Sequence, residues 1–300
     1  MLTQAGVTTV VGCLGTDGVT RSMAALLAKA SALAAEGLTT YVWTGAYEVP
    51  TPTITGSVRS DIILIDRVVG CGEIAVSDHR SAQPTPTQLR QLAAECRVGG
   101  MLGGKPGLLH LHVGSGPRGI QDVFDIIADG EIPASQFLPT HMGRTPALIE
   151  QAARLTRLGG RADFTAGASC AAAVAAALAH EADPARITIS SDGGGSLPRF
   201  DDRGSLVGLQ VGSPSTLLTT VASLHREHGL SLDVALGMVT ANPATALGLA
   251  GRKGEIAPGA DADLLVLDRS LNPKHLWAGG RMMLREGRPV VYGTFEAPVV

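Results

Sequence analysis

Several features are scarce in this sequence, and each absence closes a class of function. There are only four cysteines (Cys13, Cys71, Cys96, Cys170), and none has C-x-x-C spacing. That excludes a disulfide-framed secreted scaffold and a thiolate zinc ribbon, and it suits reduced thiols in a cytoplasmic protein. Long apolar runs are missing, because charge, Gly or Pro interrupts each one, so no membrane span is expected. Excess basic charge is missing too: 24 Lys and Arg face 27 Asp and Glu, for a net charge of -3. With no basic stripe, neither a nucleic acid nor an anionic membrane is expected as a partner. The opening Met1-Leu2-Thr3-Gln4-Ala5-Gly6 has no basic n-region and no apolar h-region, so it is not a secretory signal. It reads as the end of a helix with Gly6 at the C-cap. Internal repeats are absent, and the only biased stretch, the Ala-rich run 171–179, reads as a tightly packed helix.

The chain does have the length and alternation of an enzyme barrel. Three hundred residues, 45% of them hydrophobic, suffice for one (β/α)8 barrel of about 250 residues and a small appendage. Strand-like runs are expected at 8–15, 39–47, 73–80, 108–114, 137–142, 161–165 and 187–192. Amphipathic or Ala-rich helices are expected between them at 23–36, 58–69, 87–97, 119–128, 145–158 and 170–181, with two more near 215–228 and 232–239. Such alternation implies parallel strands with right-handed crossovers. Seven strands are one short of a closed barrel, and because the chain opens inside a helix the missing unit is expected before Met1. From Gly254 the character changes to a loop and three short strands (264–267, 276–284, 289–292). The expected division is an incomplete barrel over 1–253 and a small β domain, a partial sandwich, over 254–300.

Polar residues gather where the strands end, which in a parallel barrel is the catalytic face. They are Thr16 and Asp17, Tyr47, Asp78 to Arg80, His112, His141 and Asp192. Two histidines, an aspartate and a candidate glutamate make an oxygen and nitrogen ligand set of the zinc type. His110-Leu111-His112 puts two imidazoles on one face of a strand. Its place in the chain makes this the fifth strand once a unit before Met1 is counted, with His112 the ligand at the mouth and His110 a hydrogen-bonding residue one pleat deeper.

Several blocks resemble those of the isoaspartyl (β-aspartyl) dipeptidases of the amidohydrolase superfamily. They are Thr44-Gly45-Ala46-Tyr47, Ile54-Thr55-Gly56-Ser57, Ser77-Asp78-His79-Arg80-Ser81, Gly103-Gly104-Lys105-Pro106-Gly107, Pro139-Thr140-His141, Ser190-Ser191-Asp192-Gly193 and 254–268. The last is common to many amidohydrolases, whereas the Tyr47 and Arg80 blocks are narrower. The resemblance implies a TIM barrel of the metal-dependent hydrolase type, here without its first strand. It makes His112 and His141 ligands of one metal, and Asp192 a ligand of the other and a proton shuttle. Glu73 stands where well-known members carry a bridging carboxylated lysine, and a glutamate supplies that carboxylate directly. Lys105 is set aside for that role because it follows a helix. Arg80 and Arg144 would hold substrate carboxylates, Tyr47 would polarise the scissile carbonyl, and Ser196 and Thr16 would help seat the substrate.

The implied reaction is hydrolysis of a β-Asp-Xaa dipeptide by a zinc-activated water, in a cytoplasmic homo-oligomer. The strand-one H-x-H of the family is not in this sequence, so one Zn2+ or none is expected to be held firmly and activity is expected to be weak. The competing expectations are another amidohydrolase (dihydroorotase-, deacetylase- or D-aminoacylase-like) and a non-catalytic barrel relative.

Overall fold

Seven short parallel strands curve around one interior in a computed structural model that describes residues 1–200, 206–293 and 296. The strands are β1 (Thr9–Gly12), β2 (Thr39–Thr44), β3 (Val68–Val76), β4 (Leu108–Val113), β5 (Phe137–Thr140), β6 (Ala162–Thr165) and β7 (Ile187–Ser190). The first five form one sheet in the order β1-β2-β3-β4-β5, and β6 pairs with β7 in parallel register. The two ladders meet where the Met142 N–H donates to the Asp163 carbonyl at 3.1 Å. Among the described residues β1 pairs only with β2 and β7 only with β6, so the curved sheet stands open between them. This is the expected parallel barrel architecture, with seven strands where a closed barrel of this kind has eight.

Helices on the outside start and stop where the sequence places its caps. Helix α1 (Met23–Glu36) begins at Ser22, whose hydroxyl accepts from the Ala25 N–H, and ends at Gly37 in a left-handed conformation. Helices α2 (Val58–Leu64) and α3 (Pro86–Gly103) open on capping boxes, Ser57 with Ser60 and Thr85 with Gln88. Helix α4 (Gln121–Ala128), α5 (Pro146–Arg157) and α6 (Cys170–Ala179) complete the units after β4, β5 and β6. Their inner faces bury Leu89, Val123, Phe124, Leu148, Leu155 and Val174 against the sheet. No helix is long and apolar enough to cross a membrane, among the described residues.

One strand begins earlier than the sequence suggests. The expected 73–80 segment is in fact Val68–Val76, so Glu73 lies within the strand and 77–80 is the loop beyond it. Gly70 and Gly72, which weaken the strand signal, are there because the backbone of β4 presses on them. A Cβ at Gly70 would lie 2.2 Å from the Leu108 carbonyl oxygen, and one at Gly72 would lie 2.5 Å from that of His110. Inside the curved sheet, Trp43, Val69, Leu108 and Leu138 form an apolar layer with Ala246 from a helix after β7. Trp43 stacks on His110, ring centroids 5.1 Å apart, and so floors the polar layer above.

After β7 comes an antiparallel hairpin, β8 (Ser196–Phe200) with β9 (Leu206–Val211), a segment without a clear strand pattern in the sequence. Helices α7 (Thr216–Arg226), α8 (Leu232–Gly237) and α9 (Ala241–Ala246) follow. Four antiparallel strands close the described chain: β10 (Leu264–Leu267), β11 (Pro273–Ala278), β12 (Arg281–Arg285) and β13 (Arg288–Pro289). The single strand expected at 276–284 is two, turned at Gly279 and Gly280, both at positive φ as a two-residue hairpin loop requires. This sheet packs Leu276, Met283 and Leu284 onto Leu38, with Leu2 and Leu33 alongside.

Candidate active site

The ends of the strands place eight of the sequence-selected residues around one cavity. Glu73 (β3) and His112 (β4) face inward, and His141 follows β5 directly in a left-handed conformation at φ 66°. That conformation is uncommon outside glycine. Glu73, His112 and His141 each offer one ligand atom, and these atoms lie within 4.8 Å of one another. Glu73 Oε2 is 4.0 Å from His112 Nδ1, and Glu73 Oε1 is 3.9 Å from His141 Nε2.

The donor set fits a divalent ion. Burial holds the His112 imidazole down at about 3 and lowers His141 well below the histidine range, with the Arg144 charge adding to both. Both rings are therefore free bases at neutral pH, the form that ligates a metal. Burial pushes the Glu73 carboxyl up to about 8, and repulsion from Asp192 and Asp163 adds to it. A cation among the three would relieve that cost. His141 Nδ1 meets the Thr165 hydroxyl at 2.5 Å, which leaves Nε2 toward Glu73. His110 lies deeper, with Nδ1 donating to the Leu138 carbonyl at 2.8 Å, as an interior histidine should. Lys105 is elsewhere: its ammonium donates to the Ile62 and Ile65 carbonyls, both at 2.6 Å, at the end of α2.

Tyr47 enters from the loop after β2. Its N–H donates to the Gly15 carbonyl at 3.3 Å and its own carbonyl accepts from the Ala75 N–H at 3.1 Å, so neighbouring strands hold it from both sides. Its hydroxyl lies 2.6 Å from His112 Nδ1. Burial and the Glu73 charge push this phenol above the tyrosine range, against the Thr16 hydroxyl and the two arginines. Thr16 lines the same cavity.

Arg80 and Arg144 converge on the outer side of His112. Arg80 Nη2 and Arg144 Nη1 each lie 3.2 Å from His112 Nε2, and Arg144 Nη1 donates to the Val113 carbonyl at 2.7 Å. Between them is Asp78, which the sequence marked only as a polar residue near a strand end. Its side chain is 5% exposed, and Arg80 grips it through two guanidinium hydrogen bonds of 2.9 and 2.8 Å. The Arg80 hydrogen bonds hold the Asp78 carboxyl well below the usual carboxylate range.

Asp192 follows β7 at φ 49° and lines the cavity opposite. Burial raises its carboxyl above the usual range, while Arg144 and Arg80 draw it back down. Ser196 opens β8, but its side chain lies outside the described residues. One more carboxylate, Asp163 on β6, was not foreseen. It lies under the site, 4% exposed, and accepts from Thr140, Thr188 and Ser190.

Comparison with known proteins gives this geometry a family. Residues 2–283 match the amidohydrolase family model. A beta-aspartyl dipeptidase of Fervidobacterium islandicum AW-1, solved in complex with beta-Asp-Leu dipeptide, is 47% identical with a TM-score of 0.90, over 98% of this chain and 78% of that one. A second structure of a beta-aspartyl dipeptidase from that organism is 43% identical with a TM-score of 0.88, over 98% of this chain and 77% of that one. Among curated relatives, the N-acetylglucosamine-6-phosphate deacetylase of Bos taurus is 38% identical over 80 residues, 26% of this chain and 20% of the deacetylase. The chain thus spans about a fifth of the length of that curated relative and nearly four fifths of the dipeptidases. A curved parallel sheet, a Glu–His–His centre at its C-terminal mouth and near-complete likeness to the dipeptidase fold place the chain in the amidohydrolase family, among the beta-aspartyl dipeptidases.

Proposed function

We propose that the chain carries the catalytic face of a metal-dependent hydrolase of β-aspartyl dipeptides. The observation that carries this reading is the convergence of Glu73, His112 and His141 on one point, with Arg80, Arg144 and Tyr47 packed round the same imidazole. A metal centre alone would suit any amidohydrolase. Two guanidinium groups beside it favour a small substrate with carboxylates to hold, since a planar fork matches a carboxylate in geometry and charge.

Glu73, His112 and His141 would hold the ion, and two imidazoles with one carboxylate make Zn2+ the proposed metal. When bound, that ion supplies Lewis-acid activation of the amide carbonyl and of water near neutral pH. The chain's own residues do the rest. Arg80 and Arg144 seat the substrate carboxylates, Thr16 lines the substrate path, and the Tyr47 hydroxyl donates to the carbonyl oxygen as negative charge develops there. Asp192, its carboxyl raised by burial, takes the proton of the attacking water and returns it to the leaving amine. All four cysteines are free thiols and three are buried, which supports a reducing, cytoplasmic setting.

The test is hydrolysis of β-Asp-Leu by the zinc-loaded protein, set against α-Asp-Leu, N-acyl amino acids and dihydroorotate. Preference for β-Asp-Leu, lost with Asp192→Asn, supports the reading. Cleavage of N-acyl amino acids without β-Asp-Leu turnover would assign the site to the deacylating branch.

A further inference from the structure

We infer that Asp78 is a positioning residue that fixes the ligand tautomer of His112 while holding Arg80, tying the metal centre to the carboxylate-binding side of the pocket. The inference rests on the proposed roles of His112 and Arg80, and it concerns a residue outside the three proposed metal ligands.

The carboxylate is placed by close backbone approach. Ser77 and Asp78 lie against the turn that follows β4, where a Cβ on Gly114 would sit 2.3 Å from the Ser77 carbonyl oxygen and 2.5 Å from the Asp78 Cα. The loops are laced together as well: the Gly116 N–H donates to the Ser77 carbonyl at 2.8 Å, and the Ser77 hydroxyl donates to the Gly119 carbonyl at 2.7 Å. Only glycine admits this contact, which brings Asp78 Oδ2 to 3.0 Å from His112 Nε2.

Three groups compete for that nitrogen. Arg80 Nη2 and Arg144 Nη1, each at 3.2 Å, are donors only, whereas Asp78 Oδ2 is an acceptor and is nearer. A bare Nε2 lone pair facing a carboxylate would be repelled, so Nε2 carries the proton and donates it to Asp78. Nδ1 is then the bare nitrogen, and it is Nδ1 that lies toward Glu73. A carboxylate behind a ligating imidazole both orients the ring and raises its basicity.

Asp78 is also tied to the arginines. Oδ1 accepts from Arg80 Nε at 2.9 Å and from the Arg80 N–H at 2.8 Å, Oδ2 accepts from Arg80 Nη2 at 2.8 Å, and Arg144 Nη1 stands 3.8 Å from Oδ2. His79, 90% exposed, adds a contact of 3.5 Å to Oδ1 from the rim. One buried carboxylate thus serves a ligand on one side and a proposed substrate-binding group on the other.

The test compares Asp78→Asn with Arg80→Gln in the full chain. It reads Zn2+ affinity by competition with a chromogenic chelator, the visible spectrum of the Co2+-loaded protein, and thermal stability. Asp78→Asn is expected to weaken Zn2+ binding about 10- to 100-fold and to shift the Co2+ spectrum at unchanged melting temperature. Arg80→Gln is expected to leave both where they are, and in turnover assays both variants raise KM. Wild-type zinc affinity in Asp78→Asn, with only KM changed, overturns the proposal and leaves Asp78 as a clamp for Arg80. Histidine 15N shifts in the metal-free wild-type protein give a reading that needs no variant: Nε2–H on His112 is expected, and Nδ1–H overturns it. Neither metal affinity nor tautomer depends on the substrate, so failure here is distinct from failure of the dipeptidase reading.

Discussion

The Tyr47 hydroxyl and His112 Nδ1 are 2.6 Å apart, and their rings lie 4.4 Å centroid to centroid. With the lone pair on Nδ1 and no ion bound, the phenol is the donor to it. An ion that takes that lone pair would free the phenolic proton for a carbonyl oxygen beside it. Tyr47→Phe keeps the ring packing and removes only the donor. Its kcat on β-Asp-Leu should fall about 10²- to 10³-fold, as when one oxyanion donor is lost. Zinc content, measured by atomic emission, should stay at the wild-type level. A loss of zinc in step with activity would instead make Tyr47 a support of the centre.

Arg144 has a narrower part. Its Nη1 already donates to the Val113 carbonyl at 2.7 Å, so the guanidinium plane is fixed before substrate arrives. Lysine can carry the charge but cannot serve that carbonyl and a substrate carboxylate in the same fixed geometry. Arg144→Lys should therefore raise KM for β-Asp-Leu about tenfold or more, in line with a weakened charge-assisted hydrogen bond, while kcat falls less. Initial-rate kinetics decide it, since an equal fall in both kcat and kcat/KM would place Arg144 in the chemical step.

Much of this was legible in the residues, for local reasons. Helix α1 matches its expected bounds because Ser22 and Gly37 punctuate it. His112 is legible at the strand mouth because the H-x-H pattern and the order of the units both point there. The start of β3 is not legible because Gly70 and Gly72 weaken the strand pattern, and the need for them comes from β4, which is distant in sequence. The β8–β9 hairpin carries no signal as plain as that at Gly279 and Gly280. The role of Asp78 is not legible locally: its bond to His112 spans 34 positions, and no spacing rule joins a loop carboxylate to an imidazole on the next strand. Thr165 beneath His141 and the three hydroxyls around Asp163 are hidden for the same reason.

Glu73 is held in its place at a cost. Burial, Asp192 and Asp163 all oppose its charge, and the arginines offset this only in part. Glu73→Gln keeps the shape, relieves that opposition and removes the one anionic ligand of the three. The variant should lose tightly held Zn2+ on dialysis against a mild chelator, yet melt no lower than the metal-free wild-type protein. Calorimetry of the two metal-free proteins checks the second half, and a marked drop in the variant would show that the carboxylate is needed for folding.

Asp163 stitches the barrel where the backbone ladder breaks between β5 and β6. Its Oδ2 accepts from the Thr140 and Ser190 hydroxyls, both at 2.6 Å, and its Oδ1 accepts from Thr188 at 2.7 Å. Thr140 and Ser190 are the last residues of their strands, next to His141 and two before Asp192. Burial nevertheless pushes the Asp163 carboxyl up to about 6, because the three hydroxyls return only part of the lost hydration. The unfolded chain titrates this group near pH 3.9, so the folded protein holds the proton more tightly. Folding therefore loses stability as pH rises from about 4 to about 6, and the loss stays constant above that. For a shift of this size the loss is on the order of 3 kcal/mol. Asp163→Asn removes the titration but keeps the volume. The difference in unfolding free energy, wild type minus variant, should fall by roughly that amount between about pH 4 and about pH 6.5, because the other titrating groups cancel in the difference. Urea denaturation across that range measures it, and a flat difference would mean that the hydroxyls meet the whole cost of burying the charge.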